Sequence, residues 1–379
     1  MNLVLSDNGL HLKFAPLTLT RPLGELRMGM FTLGERWALL LGIKEEVLYQ
    51  TENPFIKGER NSNTSDDDLV VNAGVIPSNE LADEVKQLAS NETLVFQNNW
   101  IAKKGKGSIQ KLSVSVPLCV LENRWDLYLL NEKVLKADFE FYTNSKQSQQ
   151  LLSTNTVIGD KNLIFLEEGA RIEACILNTT NGPIYLGKNS EVMEGSMIRG
   201  PFSLHEGAGV KMGSKIYGGT SIGPYCKVGG EISNCIFLAY SNKGHDGFLG
   251  NSYVSAWCNL GADTNSSNLK NNYSPVKTYD FESESMHQTD VTFMGLFMGD
   301  HSKCSINTMF NTATVVGVSA NIFSSGFPKK YVPSFVWGEN DKFKFEKALE
   351  VAEAMMKRRG VSLSDSEIDI LKRIYDWGK

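Results

Sequence analysis

Residues 186–228, LGKNSEVMEGSMIRGPFSLHEGAGVKMGSKIYGGTSIGPYCKV, carry an aliphatic side chain at every sixth position: Leu186, Val192, Ile198, Leu204, Val210, Ile216, Ile222 and Val228. Four residues after each stand Ser190, Ser196, Phe202, Ala208, Ser214, Thr220, Cys226 and Ile232, most of them small. A period of six fits neither the 3.6-residue period of a helix nor the strict alternation of an isolated strand. It fits a triangular coil in which each six residues supply one short flat strand and a corner, with the aliphatic side chain pointing inward. Three sides close a coil, neighbouring coils hydrogen-bond as parallel strands, and each side buries its apolar face only by stacking. The expected fold is a parallel β-helix from about Leu166 to Ile322. Its hand does not follow from spacing, because crossovers ordinarily run right-handed.

Working outward, the same register appears at Leu166 and Ile172, is interrupted by residues 178–183, and resumes at Leu186. It breaks near Asn234, returns at Leu249, Val254 and Leu260, and breaks again from Asp263 to Asp290, a polar stretch rich in Asn and Ser. The last run is Met298, Cys304, Phe310, Val316 and Ile322. A polar segment that interrupts a solenoid without ending it must leave the coil as an extruded loop, and such loops usually carry function. Beyond the coil, Asp341 to Arg359 has the helical spacing of Phe345, Leu349, Ala352 and Met355/Met356 and stops at Gly360. A second helix follows Ser364, with Glu367 completing a capping box. Both helices are expected to cover the open end of the coil, whose strand groups would otherwise be unpaired.

Residues 1 to about 150 lack the six-residue period. Strands at Leu3–Leu5, Leu69–Val71 and Thr93–Gln97 alternate with helices at Thr32–Leu41 and Asn79–Ala89, around a polar loop at Asn61–Asp68. This pattern predicts an α/β layer with a mostly parallel sheet. The 379 residues therefore divide as an α/β domain over 1–150, a β-helix over 151–338 and a helical tail over 339–379.

With 41% hydrophobic and 21% charged residues the chain has apolar surface enough to fold without staples. A net charge of -5 gives no footing for nucleic acid, and Lys103, Lys104 and Lys106 read as a solvated loop. Cys119, Cys175, Cys226, Cys235, Cys258 and Cys304 form no C-x-x-C pair, which argues against a zinc knuckle or a redox motif and suits reduced thiols in the cytoplasm. The N-terminus has no basic region before its short apolar run, and no segment approaches the ~18 apolar residues of a membrane span. Neither export nor a membrane anchor is expected.

The segment SNKGHDGFLG (241–250), followed by Asn259-Leu260-Gly261-Ala262-Asp263-Thr264, resembles in order and spacing the acetyltransferase half of the bacterial bifunctional glucosamine-1-phosphate N-acetyltransferase/N-acetylglucosamine-1-phosphate uridyltransferase family. The resemblance implies a left-handed coil, acetyl-CoA as acyl donor, a glucosamine-1-phosphate-like acceptor, and a homotrimer whose extruded loop reaches a neighbouring subunit. It also implies His245 as general base, Asn259 as a substrate contact and the Ala262 amide as the donor to the oxyanion. The chemistry is sound: an amine attacks a thioester only when deprotonated, and an imidazole with pKa near ~6.5 accepts that proton at cellular pH. A lone histidine is more often structural, but the break in the coil and the surrounding glycines set His245 apart. His205 and His301 are read as outward-facing structural residues, and His11 and His287 offer no constellation. Phe248 stands where the family commonly has a tyrosine against the sugar phosphate, and the family's Asn-Tyr pair appears as Asn268-Leu269, with another Asn-Tyr at Asn272-Tyr273. Lys243, Lys270 and Lys277 are read either as phosphate contacts or as solvated side chains.

The run LTLTRPLGELRMG (17–29) resembles the shortened sugar-nucleotidyltransferase-like domain of a divergent branch of the same family, without its Gly-rich G-x-G-T-x-M loop. Arg21 and Arg27 are read either as bidentate phosphate contacts or as ion pairs to Glu25 or Glu35. If UTP is a substrate, Mg²⁺ falls to Asp126 or to Asp66-Asp67-Asp68. The expected function is a cytoplasmic sugar-phosphate N-acetyltransferase, with nucleotidyl transfer as a second activity, in cell-envelope precursor synthesis. Its rivals are a nucleotidyltransferase whose β-helix only trimerises it, and a non-catalytic protein that binds nucleotide sugar.

Overall fold

A computed structural model describes residues 2–58, 61–97, 99–113 and 118–378, which fall into two compact units. The first comprises Met1–Leu26 and Phe31–Asp126, the second Arg27–Met30 and Leu127–Lys379.

The first unit is the α/β layer. Its sheet has six strands in the order Leu48–Gln50, Leu3–Ser6, Leu69–Asn72, Asn99–Lys104, Glu92–Phe96 and Ile109–Leu112. Leu3–Ser6 lies between two parallel neighbours, but Asn99–Lys104 runs antiparallel to both of its own, so the sheet is mixed where a mostly parallel one was expected. Lys103 and Lys104, expected in a loop, are strand residues; their long side chains leave a half-buried strand of a form that reads as polar. The helix Leu33–Leu41 begins with the reciprocal Thr32–Glu35 capping box and ends at Gly42, whose φ of 72° suits a residue without Cβ. Trp37 on that helix is fully buried, its indole N–H donating to the Val75 carbonyl at 3.1 Å.

The second unit is a left-handed parallel β-helix with a short helical tail. One face is a ten-stranded sheet beginning with Arg171–Ile172, Glu191–Val192, Gly209–Val210 and Lys227–Val228, and continuing through Asn242–Lys243, Asn259–Leu260, Lys303–Cys304 and Asn321–Ile322. The other two faces join into one fifteen-stranded sheet, because Glu231–Phe237 and Phe248–Val254 each run around the corner between them. The register stacks like on like: Val192 on Val210, Val210 on Val228, Ile198 on Ile216, Leu204 on Ile222. These side chains are 2% exposed or less and form one continuous core along the coil axis.

The extruded segment begins later than expected. Asn265–Ser266 is still a coil strand, paired with Met309–Phe310, and the excursion runs from there to Phe297. It is an ordered antiparallel hairpin, Lys277–Asp280 with Ser285–Gln288, and it packs on its own chain. The Tyr279 ring stacks on Tyr331 at 3.6 Å between centroids, Phe281 stacks on Trp377, and Thr278 donates to the Ala313 carbonyl.

The tail helices are Phe345–Lys357 and Asp365–Trp377, the second with the Ser364–Glu367 capping box. They do not simply cover the coil end. Phe345 packs against Phe335 in the last coil, whereas Arg359, just past the helix, reaches the Asn242 side chain at 3.4 Å. Thirteen residues of helix span ~20 Å, about the same as the four strand spacings of ~4.8 Å that separate Asn242 from Val336–Trp337, the last parallel strand of its face. The first tail helix therefore runs back along that face toward Asn242.

Candidate functional site

In the coils that keep the repeat, inward side chains are six residues apart; in the two coils on either side of Lys243 several spacings are shorter, although the one that holds His245, from Lys243 to Leu249, keeps six. From Val228 the inward positions are Ile232, Phe237, Lys243, Leu249, Val254 and Leu260, fixed by the pairings of Val228 with Lys243, Ile232 with Leu249 and Phe237 with Val254. The corners at Gly229-Gly230, Asn234 and Asn251 are each shortened, and Asn234 and Asn251 take the left-handed conformation, with φ of 51° and 47°. The coil thus continues through the apparent break near Asn234.

The shortening puts Lys243, read from sequence either as a phosphate contact or as a solvated side chain, inside the coil on the aliphatic ladder, where it is 1% exposed. Its ammonium donates to the carbonyls of Gly229 (3.1 Å), His245 (2.8 Å) and Asp246 (3.2 Å). Burial pushes its pKa down to about 8, opposed by the acidic groups of Asp246 and Asp263 at the corner and of Cys235 and Cys304 in the core. Counting back six from Leu249 points to this position, but a lysine there does not read as core.

His245 follows on the corner, and its side chain is exposed. The corner of the next coil, Gly261 to Thr264, stacks directly on it: Asp263 N–H donates to the Asp246 carbonyl at 3.1 Å. A Cβ on Gly247, whose φ is 111°, would sit 2.2 Å from the Thr264 carbonyl oxygen, so only glycine allows this approach. In this register Ala262 stands one coil spacing, ~4.8 Å, from His245. Of the amides at Ala262's corner, Gly261 donates to Cys304, Asp263 to Asp246 and Thr264 to Gly261, which leaves Ala262 as the one not used by these ladder bonds. Asn259 is half-buried on the strand leading into this corner, beside Asn242. Phe248 is half-buried on the strand leaving His245, its amide held by the Asn265 side chain at 2.8 Å.

The structure thus brings His245, Ala262, Asn259 and Phe248 to adjoining positions on two coils. The remaining residues lie past the next corner. Asn268 donates to the Asn251 side chain at 2.7 Å, Lys270 ties the root of the excursion to Ser274 and Pro275, and Lys277 is exposed on the hairpin opposite Gln288. His301, expected to face outward, is buried at a left-handed corner with its ring stacked on Trp257. His205 is half-buried, its Nε2 3.5 Å from the Arg27 guanidinium; burial, and then that positive charge, push its pKa well below the usual value.

Arg21 and Arg27 fall in different units. Arg21 lies 3.7 Å from Glu25, the ion pair that is one of its two readings from sequence. Arg27 is buried, its guanidinium donating to the Met30 carbonyl and its main chain clasped by the Tyr253 hydroxyl. Of the four carboxylates named for Mg²⁺, Asp66 and Asp67 are exposed and the other two close turns. Asp68 accepts the amides of Asn2 and Ser65, and Asp126 those of Glu122 and Asn123. No group of three metal-ligating side chains occurs among the described residues. At the carboxyl end of Leu3–Ser6, where strands diverge to either side and α/β sheets usually bind ligands, stands Asp7. It is fully buried, accepts the Leu23 amide at 2.9 Å, and is pushed up to about 7, chiefly by burial. The Glu52 carboxylate meanwhile accepts the Gly9 amide at 3.1 Å, which puts a second acid at this end of the strand.

Residues 3–147 match the model of a sugar nucleotidyl transferase family. Fold and match together define a sugar nucleotidyl transferase-like segment followed by a left-handed parallel β-helix. Among solved structures the chain is similar to the polySia specific acetyltransferase NeuO, at 14% identity over 54% of this chain and 94% of that one, with a TM-score of 0.28. It is also similar to the Arabidopsis UDP-N-acetylglucosamine acyltransferase, at 12% identity over 56% and 78%, TM-score 0.21. A third is the acetyltransferase domain of PglB from Neisseria gonorrhoeae, at 11% identity over 87% and 94%, TM-score 0.20. No curated protein sequence matches the chain. No helix among the described residues is long and apolar enough to cross a membrane.

Proposed function

We propose that the β-helix unit is a sugar-phosphate N-acetyltransferase that moves the acetyl group of acetyl-CoA to the amine of a glucosamine-1-phosphate-like acceptor. It works as a cytoplasmic homotrimer in the supply of cell-envelope precursors. The observation that carries this reading is the corner where exposed His245 faces Ala262 across one coil spacing, with Asn259 on the adjoining strand. His245 takes the proton of the attacking amine, and the Ala262 amide receives the charge that develops on the thioester oxygen. Lys243 enters as an internal strut and not as a phosphate ligand, since its three N–H groups are matched by three carbonyls.

The family match over residues 3–147 favours a second reading, in which the first unit transfers a nucleotidyl group from UTP to N-acetylglucosamine 1-phosphate and the β-helix serves as a trimerisation scaffold. The buried acid at Asp7 and the Glu52 carboxylate on Gly9 speak against a triphosphate at that crevice. Release of CoA and of pyrophosphate, measured side by side on native protein, His245→Ala and Arg21→Ala, separates the two. His245→Ala is expected to lose CoA release by on the order of 10²–10⁴-fold and to shift stability by about 0.5 kcal/mol or less. Native CoA release from that variant would remove His245 as the base. Pyrophosphate release that falls in Arg21→Ala would put the second reading ahead.

A further inference from the structure

We propose that Lys243 is a positioning residue that holds the His245 corner with its carbonyls turned into the coil, so that the amide of Asp246 faces outward as a second oxyanion donor beside His245. This rests on the acyl-transfer reading above.

The partners of Lys243 along its ladder are Val228 below and, in the coil above, Leu260, both aliphatic, and the coil closes around both. Packing alone therefore does not call for an ammonium at this place, and burying one is unfavourable unless every N–H finds an acceptor. Here each does, and two of the three acceptors are the carbonyls of one corner, His245 and Asp246. In a trans peptide the N–H lies opposite the C=O. With the His245 carbonyl drawn in to Lys243, the next N–H, that of Asp246, points out of the coil. Its own carbonyl meets Asp263 N–H, so the Asp246 peptide adjoins the corner that presents the Ala262 amide. The space there is open: a Cβ built on Gly244 would meet nothing within 4 Å.

In the reaction, the acceptor amine attacks the thioester carbon and its proton passes to His245. The carbonyl oxygen takes the negative charge and accepts hydrogen bonds from the Ala262 and Asp246 amides. Collapse then breaks the carbon–sulfur bond, and the CoA thiolate takes the proton back from His245. A neutral lysine has two N–H groups for three carbonyls. Loss of the Lys243 proton near pH 8, set by burial and opposed by Asp246, Asp263, Cys235 and Cys304, should therefore loosen the corner.

The test uses the full chain with acetyl-CoA and glucosamine 1-phosphate, comparing native protein, Lys243→Met, Lys243→Leu and His245→Ala. Either Lys243 variant is expected to lower kcat by about tenfold to a hundredfold, less than outright loss of an oxyanion donor. KM should change little, and the fall in rate expected of the native protein above pH 8 should be absent. Amide exchange at residues 244–247 should quicken while that at 209–228 stays unchanged. If His245→Ala is inactive and a folded Lys243 variant keeps the native kcat and pH profile, the inference is overturned and the acyl-transfer reading stands. If His245→Ala remains active, the acyl-transfer reading fails, and unchanged exchange at 244–247 would overturn the role of Lys243 in the corner as well.

Discussion

Replacing Asp7 by Asn should stabilise the first unit, and by an amount that grows with pH. The Asp7 carboxyl is raised from 3.8 to about 7, chiefly by burial, so the folded chain binds a proton there that the unfolded chain has already released between those values. Stability falls with rising pH wherever the unfolded state binds fewer protons, so this group weakens the native unit as pH climbs from about 4 to 7, and the full cost stands above 7. Every tenfold difference in proton affinity between the folded and unfolded chain is worth ~1.4 kcal/mol, giving about 4 kcal/mol at pH 8 against about 1.5 kcal/mol at pH 5. An asparagine keeps an oxygen for the Leu23 amide and carries no charge to bury. Amide exchange of Leu3–Ser6, measured on both proteins at pH 5 and 8 and corrected for intrinsic rates, reads this unit within the full chain. The gap in opening free energy between Asp7→Asn and the native protein should widen by about 2.5 kcal/mol from pH 5 to pH 8. A gap that stays constant, or a variant less stable at pH 8, would refute the assignment of a protonated acid at the end of this strand.

Two further outcomes test the coil and the hairpin. Val210→Asp puts an unpaired carboxylate in the fully buried ladder and should cost more than about 4 kcal/mol, whereas Lys211→Asp, at the half-buried neighbouring position, should be mild. Equal melting of the two variants would mean that the inward register is misassigned. Replacing residues 269–292 by a short linker, which spares the coil strand Asn265–Ser266, should abolish CoA release and leave the β-sheet circular dichroism intact. Sedimentation of an active monomer would sink the trimer.

The coil was legible because a six-residue period is a local property: each aliphatic residue meets its equivalents above and below, so spacing along the chain maps directly onto stacking in space. The hairpin's docking was not legible, because it depends on Tyr279 and Phe281 meeting Tyr331 and Trp377, partners about fifty to a hundred residues away with no spacing rule to link them. The tail helices show both sides. Their caps at Ser364 and Glu367 are written in four residues, but the direction of the first, along the coil to Asn242, follows from one long-range contact. In the first unit, Asn99–Lys104 hid behind its lysines, since β pattern rules weigh polar residues as loop and miss a strand whose long side chains reach solvent.

Where the local rule fails is itself informative. Most coils repeat one solution: aliphatic inward, small residue at the corner, six residues to a side. Apart from the insertion at residues 178–183 near the start of the coil, the departures gather within two successive coils. There the sides shorten at Gly229-Gly230, Asn234 and Asn251, a lysine replaces an aliphatic residue in the core, and the chain then leaves for its hairpin. A sequence shaped by stability alone would have little reason to bury an ammonium and to insert some thirty residues beside it, since burial is costly and an insertion must at least meet its own closure entropy. Violations of local consistency that are tolerated together are expected at functional sites. This clustering falls on the two coils that also carry the motif around His245, and it is read from backbone geometry and burial.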